Sequence, residues 1–232
     1  MTVSYVLFGA YWRPREESCE SCGARTHLIL STMASHPALA QFFEQATSKE
    51  KSLAKPLPLD PAGLSAWLKH RKEDRKGPKY AIDAELGWSQ AAWNGEDGDR
   101  SSVLRVACGM TSPWVVNVVT LRVSAILFQE LRDAGQHLSI FQSIVKSFEA
   151  DWALITSPEF RDAVGTQPGE KDVGLVTYTQ KTIPEALLSK LPRQEIYSHG
   201  RLMWLGDDLP RPDDASAVSL AREIRSVLNE GS

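Results

Sequence analysis

The apolar positions of this chain change period several times along its length. Ser4–Tyr11 (SYVLFGAY) is β-branched and aromatic and too short for an independent helix, so it predicts a strand that ends near Pro14. A helix follows: Ser18 supplies an N-cap, Glu16, Glu17 and Glu20 suit the positive end of the helix dipole, and Leu28 and Ile29 begin an apolar face. His36-Pro37 interrupts it, because proline removes a helical hydrogen bond and restricts the residue before it. A second short helix is expected through Leu39, Phe42, Phe43 and Ala46. Residues 48–60 are polar and proline-rich and read as a surface connection. Asp60-Pro61 then pairs an N-cap with a proline at the first helical position, and Leu64, Trp67 and Leu68 give the spacing of a buried stripe.

From 86 to 123 the pattern shortens. Leu86–Trp93, Ser102–Cys108 and Val115–Val123 are separated by the turn-rich NGEDGD and GMTSP, which predicts an antiparallel meander. Residues 115–121 are nearly continuous in apolar character, so a central strand covered on both faces is expected there. Leu138–Phe148 carries apolar residues at 138, 141, 144, 145 and 148 and reads as an amphipathic helix. Next come a strand at Trp152–Thr156, a turn at Ser157-Pro158, a strand at Val173–Thr179 and a short helix from Pro184. Ile196–Leu205 reads as a hairpin turning at His199-Gly200, and Asp213–Leu228 closes the chain as a helix. This mixed order points to an α+β fold, a largely antiparallel sheet flanked by helices in an α/β sandwich. A length of 232 residues suits one domain spanning 1–232, with a division near residue 125 as the alternative.

Composition narrows the class. Hydrophobic residues make up 42% and charged residues 24%, which supplies a core and excludes disorder. The opening MTVSYVLFGAYW has no basic n-region and breaks at Arg13, and no stretch reaches the roughly 20 apolar residues of a membrane span. A cytosolic protein with reduced thiols is expected, since three cysteines do not build a secreted disulfide framework. The net charge is −3, but KHRKEDRKGPK at 69–79 is locally basic, which leaves most of the surface acidic.

The candidates for chemistry are few. Cys19-x-x-Cys22 at a helix start has the setting of a redox couple, and His27 and His36 would extend it to a zinc-like C-x2-C-x4-H-x8-H. Glu16, Glu17 and Glu20 argue for the structural reading, because negative charge raises a thiol pKa. A thiol- or zinc-dependent enzyme using Cys19, Cys22 and His27 is the alternative function. Asp83-x-Glu85 reads as a solvated acidic edge and His199 as a turn residue. Phosphate loops, nucleophile elbows and H-E-x-x-H are absent, so no catalytic residue, metal or cofactor is assigned. Residues 69–79 lack the aromatic interleaving of a nucleic-acid module, and their position at a helix C-terminus explains their charge. Asp213-Asp214 reads as a helix cap. That leaves acidic turns, Glu96, Asp97 and Asp99 in one and Asp207-Asp208 in another, beside Trp93 as an aromatic anchor; together they suggest a binder of a basic protein.

Several segments in order resemble one family. Tyr11-Trp12-x-x-Arg15-Glu16-x-Ser18, running into Cys22-x-Ala24-Arg25, is followed by Leu86-Gly87-Trp88, Trp93-Asn94-Gly95, Asn117-Val118-Val119, a helix before Trp152, and Ser198-His199-Gly200-Arg201-Leu202. This set resembles the immunity protein 52 family. The resemblance implies a cytosolic immunity protein of a bacterial polymorphic-toxin system, often tied to type VI secretion, whose partner is a nuclease toxin of restriction-endonuclease-like fold. It implies that Arg15, Glu16 and Ser18 organise the strand-to-helix entry, while the acidic surface and the lack of a membrane-length run leave no nucleic-acid or membrane partner expected. The chain departs from the family between 166 and 182, where Gly174-Leu175 and Tyr178 stand in place of a Gly-Trp-x-x-Tyr stretch.

Overall fold

A computed structural model describes residues 4–73, 85–167 and 169–230. Nine strands form one sheet in the order β2-β3-β4-β5-β1-β6-β7-β9-β8, and every pairing is antiparallel. The strands are β1 (Tyr5–Trp12), β2 (Phe43–Glu44), β3 (Trp88–Trp93), β4 (Ser102–Cys108), β5 (Asn117–Ser124), β6 (Trp152–Thr156), β7 (Val176–Thr179), β8 (Arg193–Tyr197) and β9 (Gly200–Trp204). The helices are α1 (Cys19–Met33), α2 (Lys49–Leu53), α3 (Pro61–Glu73), α4 (Ala125–Asp133), α5 (Gln136–Ser147), α6 (Pro158–Val164), α7 (Glu185–Leu188) and α8 (Ala215–Asn229). The expected α+β sandwich is the observed one. β1 lies between β5 and β6, so residues from both sides of position 125 meet in a single sheet.

The local signals explain these elements. Ser18 caps α1 by accepting from the Ser21 amide at 3.1 Å, and Asp60 accepts from the Gly63 amide at 2.9 Å at the start of α3. Three helices escaped the sequence reading, α2, α4 and α6. Ser124 caps α4 through the Leu127 amide at 3.0 Å, and Leu127, Phe128 and Leu131 form its buried face. Ser157-Pro158, expected as a turn, is the N-cap and first residue of α6, which ends at Gly165 in the left-handed region. The helix expected through 39–46 is instead a single 3-10 turn, Pro37–Leu39, followed by β2. The connection at 48–60 contains α2, and the strand expected from Val173 begins at Val176. The last hairpin turns at Ser198-His199, one residue earlier than expected. Most of the basic run, and Asp83, lie outside the described residues.

Two cores form on opposite faces of the sheet. The larger packs α1, α3, α4 and α5 against Val6, Phe8, Leu104, Val106, Val119, Leu121 and Ile155. The smaller packs α6, α7 and α8 against Trp152, Leu154 and Met203 on the other face. Every residue of β6 and β7 is therefore buried, whereas β5 alternates: Val119, Leu121 and Val123 are buried while Val118 and Thr120 are half-buried and Arg122 is exposed. The doubly covered central strand expected at 115–121 is thus β6 and β7 instead. The helices of the second layer follow β6, β7 and β9 in the chain and settle over the strands nearest to them, leaving β5 with one layer among the described residues. No helix among the described residues is long and apolar enough to cross a membrane.

Candidate functional site

The second face of the sheet is built in rows that cross from an open half into a covered half. Pairing sets Trp93 beside Val103, then Arg122, Leu7 and Thr156; the next row is Ala91, Arg105, Thr120, Gly9 and Leu154; the third is Ser89, Ala107, Val118, Tyr11 and Trp152. The last member of each row is buried under the second helix layer, whereas Val103, Val118 and Leu7 are half-buried and Arg105 and Arg122 are exposed. Tyr11 marks the border. Its ring stacks on Trp152 at 4.3 Å, and burial raises its phenol pKa, with Arg161 opposing and Asp172 adding to the rise. A cleft of about 390 Å³ opens there, between Tyr11, Trp152, Val116 and Lys171. Burial, and then Lys181, lower the Lys171 pKa. Beside the cleft, Trp114 is 92% exposed.

The acidic turns lie at one end of the sheet, flanking α4. Glu96, Asp97 and Asp99 are exposed on the β3–β4 turn, but Asp97 is ion-paired with Lys49, whose ammonium also sits 5.6 Å from the Trp93 ring centre. The Trp93 indole N–H donates to the Glu96 carbonyl at 2.7 Å, so this half-buried ring braces the turn. Ser124 donates to the Asp99 carbonyl, and Arg100 pairs with Glu130 of α4 at 3.1 Å. Asp208 pairs with Arg132 of the same helix, and Asp207 is exposed beside it. Asp214 caps α8, as expected, accepting from the Ser216 and Ala217 amides at 3.1 and 3.0 Å. The structure thus gathers the two predicted clusters at one end, with Asp97 and Asp208 already neutralised.

The thiols face inward. Cys19 donates to the Ser65 carbonyl at 3.1 Å, while a hydrogen bond with Cys22, followed by burial, drives the Cys108 pKa far up. His27 lies on the surface with Nδ1 2.6 Å from the Leu59 carbonyl, and His36 accepts from the Ala38 amide at 3.3 Å. Among the described residues no three His, Cys, Asp or Glu side chains converge as a metal site would require.

The motif residues converge on structural joints. The carbonyls at the C-terminal end of α5 have no helical partner, and two guanidiniums satisfy them: Arg25 donates to the Ser147 carbonyl and Arg15 to the Phe148 carbonyl, both at 2.7 Å. Glu17, with its side chain 5% exposed, lies 3.0 Å from Arg15 and 3.3 Å from Arg25, and accepts from the Trp12 indole at 3.2 Å. Glu149 pairs with both arginines from outside. Asn117 is fully buried and ties the end of β1 to the β4–β5 loop, donating to the Arg13 and Met110 carbonyls and accepting from the Met110 amide. Asn94 does the same for the β3–β4 turn through Ala38, Arg100 and Ser102. Gly87 has φ +55, and a Cβ there would come within 2.2 Å of the Cys108 carbonyl oxygen. These joints are spread over the whole chain, and so is the match to known proteins: residues 4–232 match the profile of immunity protein 52.

The chain belongs to the immunity protein 52 family. In this immunity protein the departure between 166 and 182 falls inside the cores, at Gly174, Leu175 and Tyr178. Among solved structures, a Pseudomonas aeruginosa T6SS protein shares the fold of this immunity protein, with a TM-score of 0.57 at 13% identity over 97% of this chain and 73% of that one. A search of curated protein sequences returns no match. An immunity protein acts by binding a cognate toxin, so the surface of interest is a docking face. The sequence reading missed its strongest candidate, the open half of the sheet. The available signal was the alternation in NVVTLRVS and SVLRVAC, which places Thr120, Arg122 and Arg105 on one side.

Proposed function

We propose that this chain neutralises a nuclease toxin of restriction-endonuclease-like fold, delivered by type VI secretion, and that it does so in the cytosol of the producing cell and its kin by binding alone. The observation that carries this reading is the match to immunity protein 52 along 4–232. The fold shared with a T6SS protein supports the secretion route. The inward-facing thiols and the lack of a convergent metal-ligand set among the described residues favour binding over the thiol- or zinc-dependent alternative. The test is to express the toxin encoded beside this gene with and without this protein, following survival and plasmid integrity. Rescue with an intact plasmid and a co-purifying complex is the expected result. Rescue from a toxin that leaves DNA and RNA intact would overturn the nuclease target, and no rescue would overturn immunity itself.

A further inference from the structure

Across β3, β4, β5 and β1, the side of the sheet that none of the described helices covers carries neither aspartate nor glutamate at any strand position facing outward with Arg105 and Arg122. In a chain of net charge −3 this is a cationic island. Arg105 and Arg122 occupy adjacent strands on a diagonal, with α-carbons about 7–8 Å apart, where like charges repel. Among the described residues neither makes an ion pair, and the Arg122 guanidinium lies 5.2 Å over the Tyr5 ring. Stacking of that kind holds the planar fork in place while its N–H groups stay available to a carboxylate. Folding gains nothing from setting the two guanidiniums side by side.

We propose that this face docks the cognate toxin, and that the toxin presents to it a carboxylate-bearing patch set among apolar side chains. The inference rests on the reading of the chain as an immunity protein. Charge complementarity selects the occupant: two unpaired guanidiniums attract carboxylates and repel a basic surface. A second copy is disfavoured, because a two-fold contact through this face would bring the same cations together. Val103, Val118 and Leu7 supply apolar area around the arginines, Trp93 stands at one end of the face, and the exposed Trp114 lies in the β4–β5 loop at the other end, between residues that line the cleft by Tyr11. The acidic β3–β4 turn lies beyond Trp93, outside this face, with Asp97 already held by Lys49.

The test measures binding of the purified full chain to a catalytically inactive form of the toxin encoded beside its gene. Arg105→Glu with Arg122→Glu is expected to weaken binding about 100-fold, and Arg105→Ala with Arg122→Ala about 10-fold, since truncating a charge-paired interface residue acts on dissociation. Trp114→Ala is expected to cost about 10-fold. Glu96→Lys with Asp99→Lys, at the acidic turn, is expected to change affinity less than about threefold. If both arginine pairs bind within threefold of the unmodified protein, the docking face is wrong while immunity stands. A self-association of the unmodified chain that the arginine substitutions abolish would assign the face to a second copy instead. No binding by the unmodified chain would overturn the immunity reading itself, and this inference with it.

Discussion

One sheet carries two unlike surfaces on the same side. Over β6, β7 and β9 the side chains are sealed beneath α6, α7 and α8, while over β3, β4 and β5 their row neighbours, apart from the small Ala107, stand half-buried or exposed. Chain order produces the difference. The helices that follow β6, β7 and β9 cover the strands nearest to them, and α1, α3, α4 and α5 all pack on the opposite face. Composition follows coverage, so that WALIT has no charge, whereas NVVTLRVS places an arginine where water reaches. The covered half holds the fold together, and the open half is free to evolve for a partner.

The sharpest break in this comparison comes from equivalent truncations in the two halves. Leu154→Ala, in the covered half, is expected to lower unfolding free energy by about 2–5 kcal/mol in denaturant titration, because a buried cavity remains. A loss below about 1 kcal/mol would mean that the second layer is loosely packed. At the border, a double-mutant cycle on Tyr11→Leu and Trp152→Leu should show a coupling of about 0.5–1.5 kcal/mol from the stacked rings. Val118→Ala, in the open half, should change stability by less than about 1 kcal/mol, since water already reaches that side chain. The smallest effect has the opposite sign. Arg105→Ala relieves a like-charge pair while sparing the Arg122–Tyr5 contact, and should leave the melting temperature unchanged or raise it by about 1 °C, even as toxin binding weakens.

How much of this was legible depends on what each residue does. Ser18, Asp60 and Asp214 announce their helices by local capping chemistry, which needs no tertiary information, and all three cap as expected. The motif carrying Trp12, Arg15 and Arg25 was legible as a family mark because its members are locked together at the end of α5, where few replacements preserve the hydrogen bonds. Ser124 and Ser157 carried the same capping signal as Ser18, yet one followed an apolar strand run and the other preceded a proline, and both helices were passed over. The docking face was the least legible. Arg105 and Arg122 lie 17 positions apart and become neighbours only through strand pairing, and their exposure depends on where α6 and α8 settle. Sequence charge pointed to Glu96, Asp97, Asp99, Asp207 and Asp208, two of which proved to have internal cationic partners in Lys49 and Arg132.

The most direct measurement is side-chain footprinting of the free protein and of its complex with the toxin. Protection of Tyr5, Trp114 and Val118, with Glu96 and Asp207 left reactive, is the expected result. Protection confined to the 96–99 and 207–208 turns, with Tyr5 and Trp114 as reactive as in the free chain, would contradict the assignment of the open sheet face.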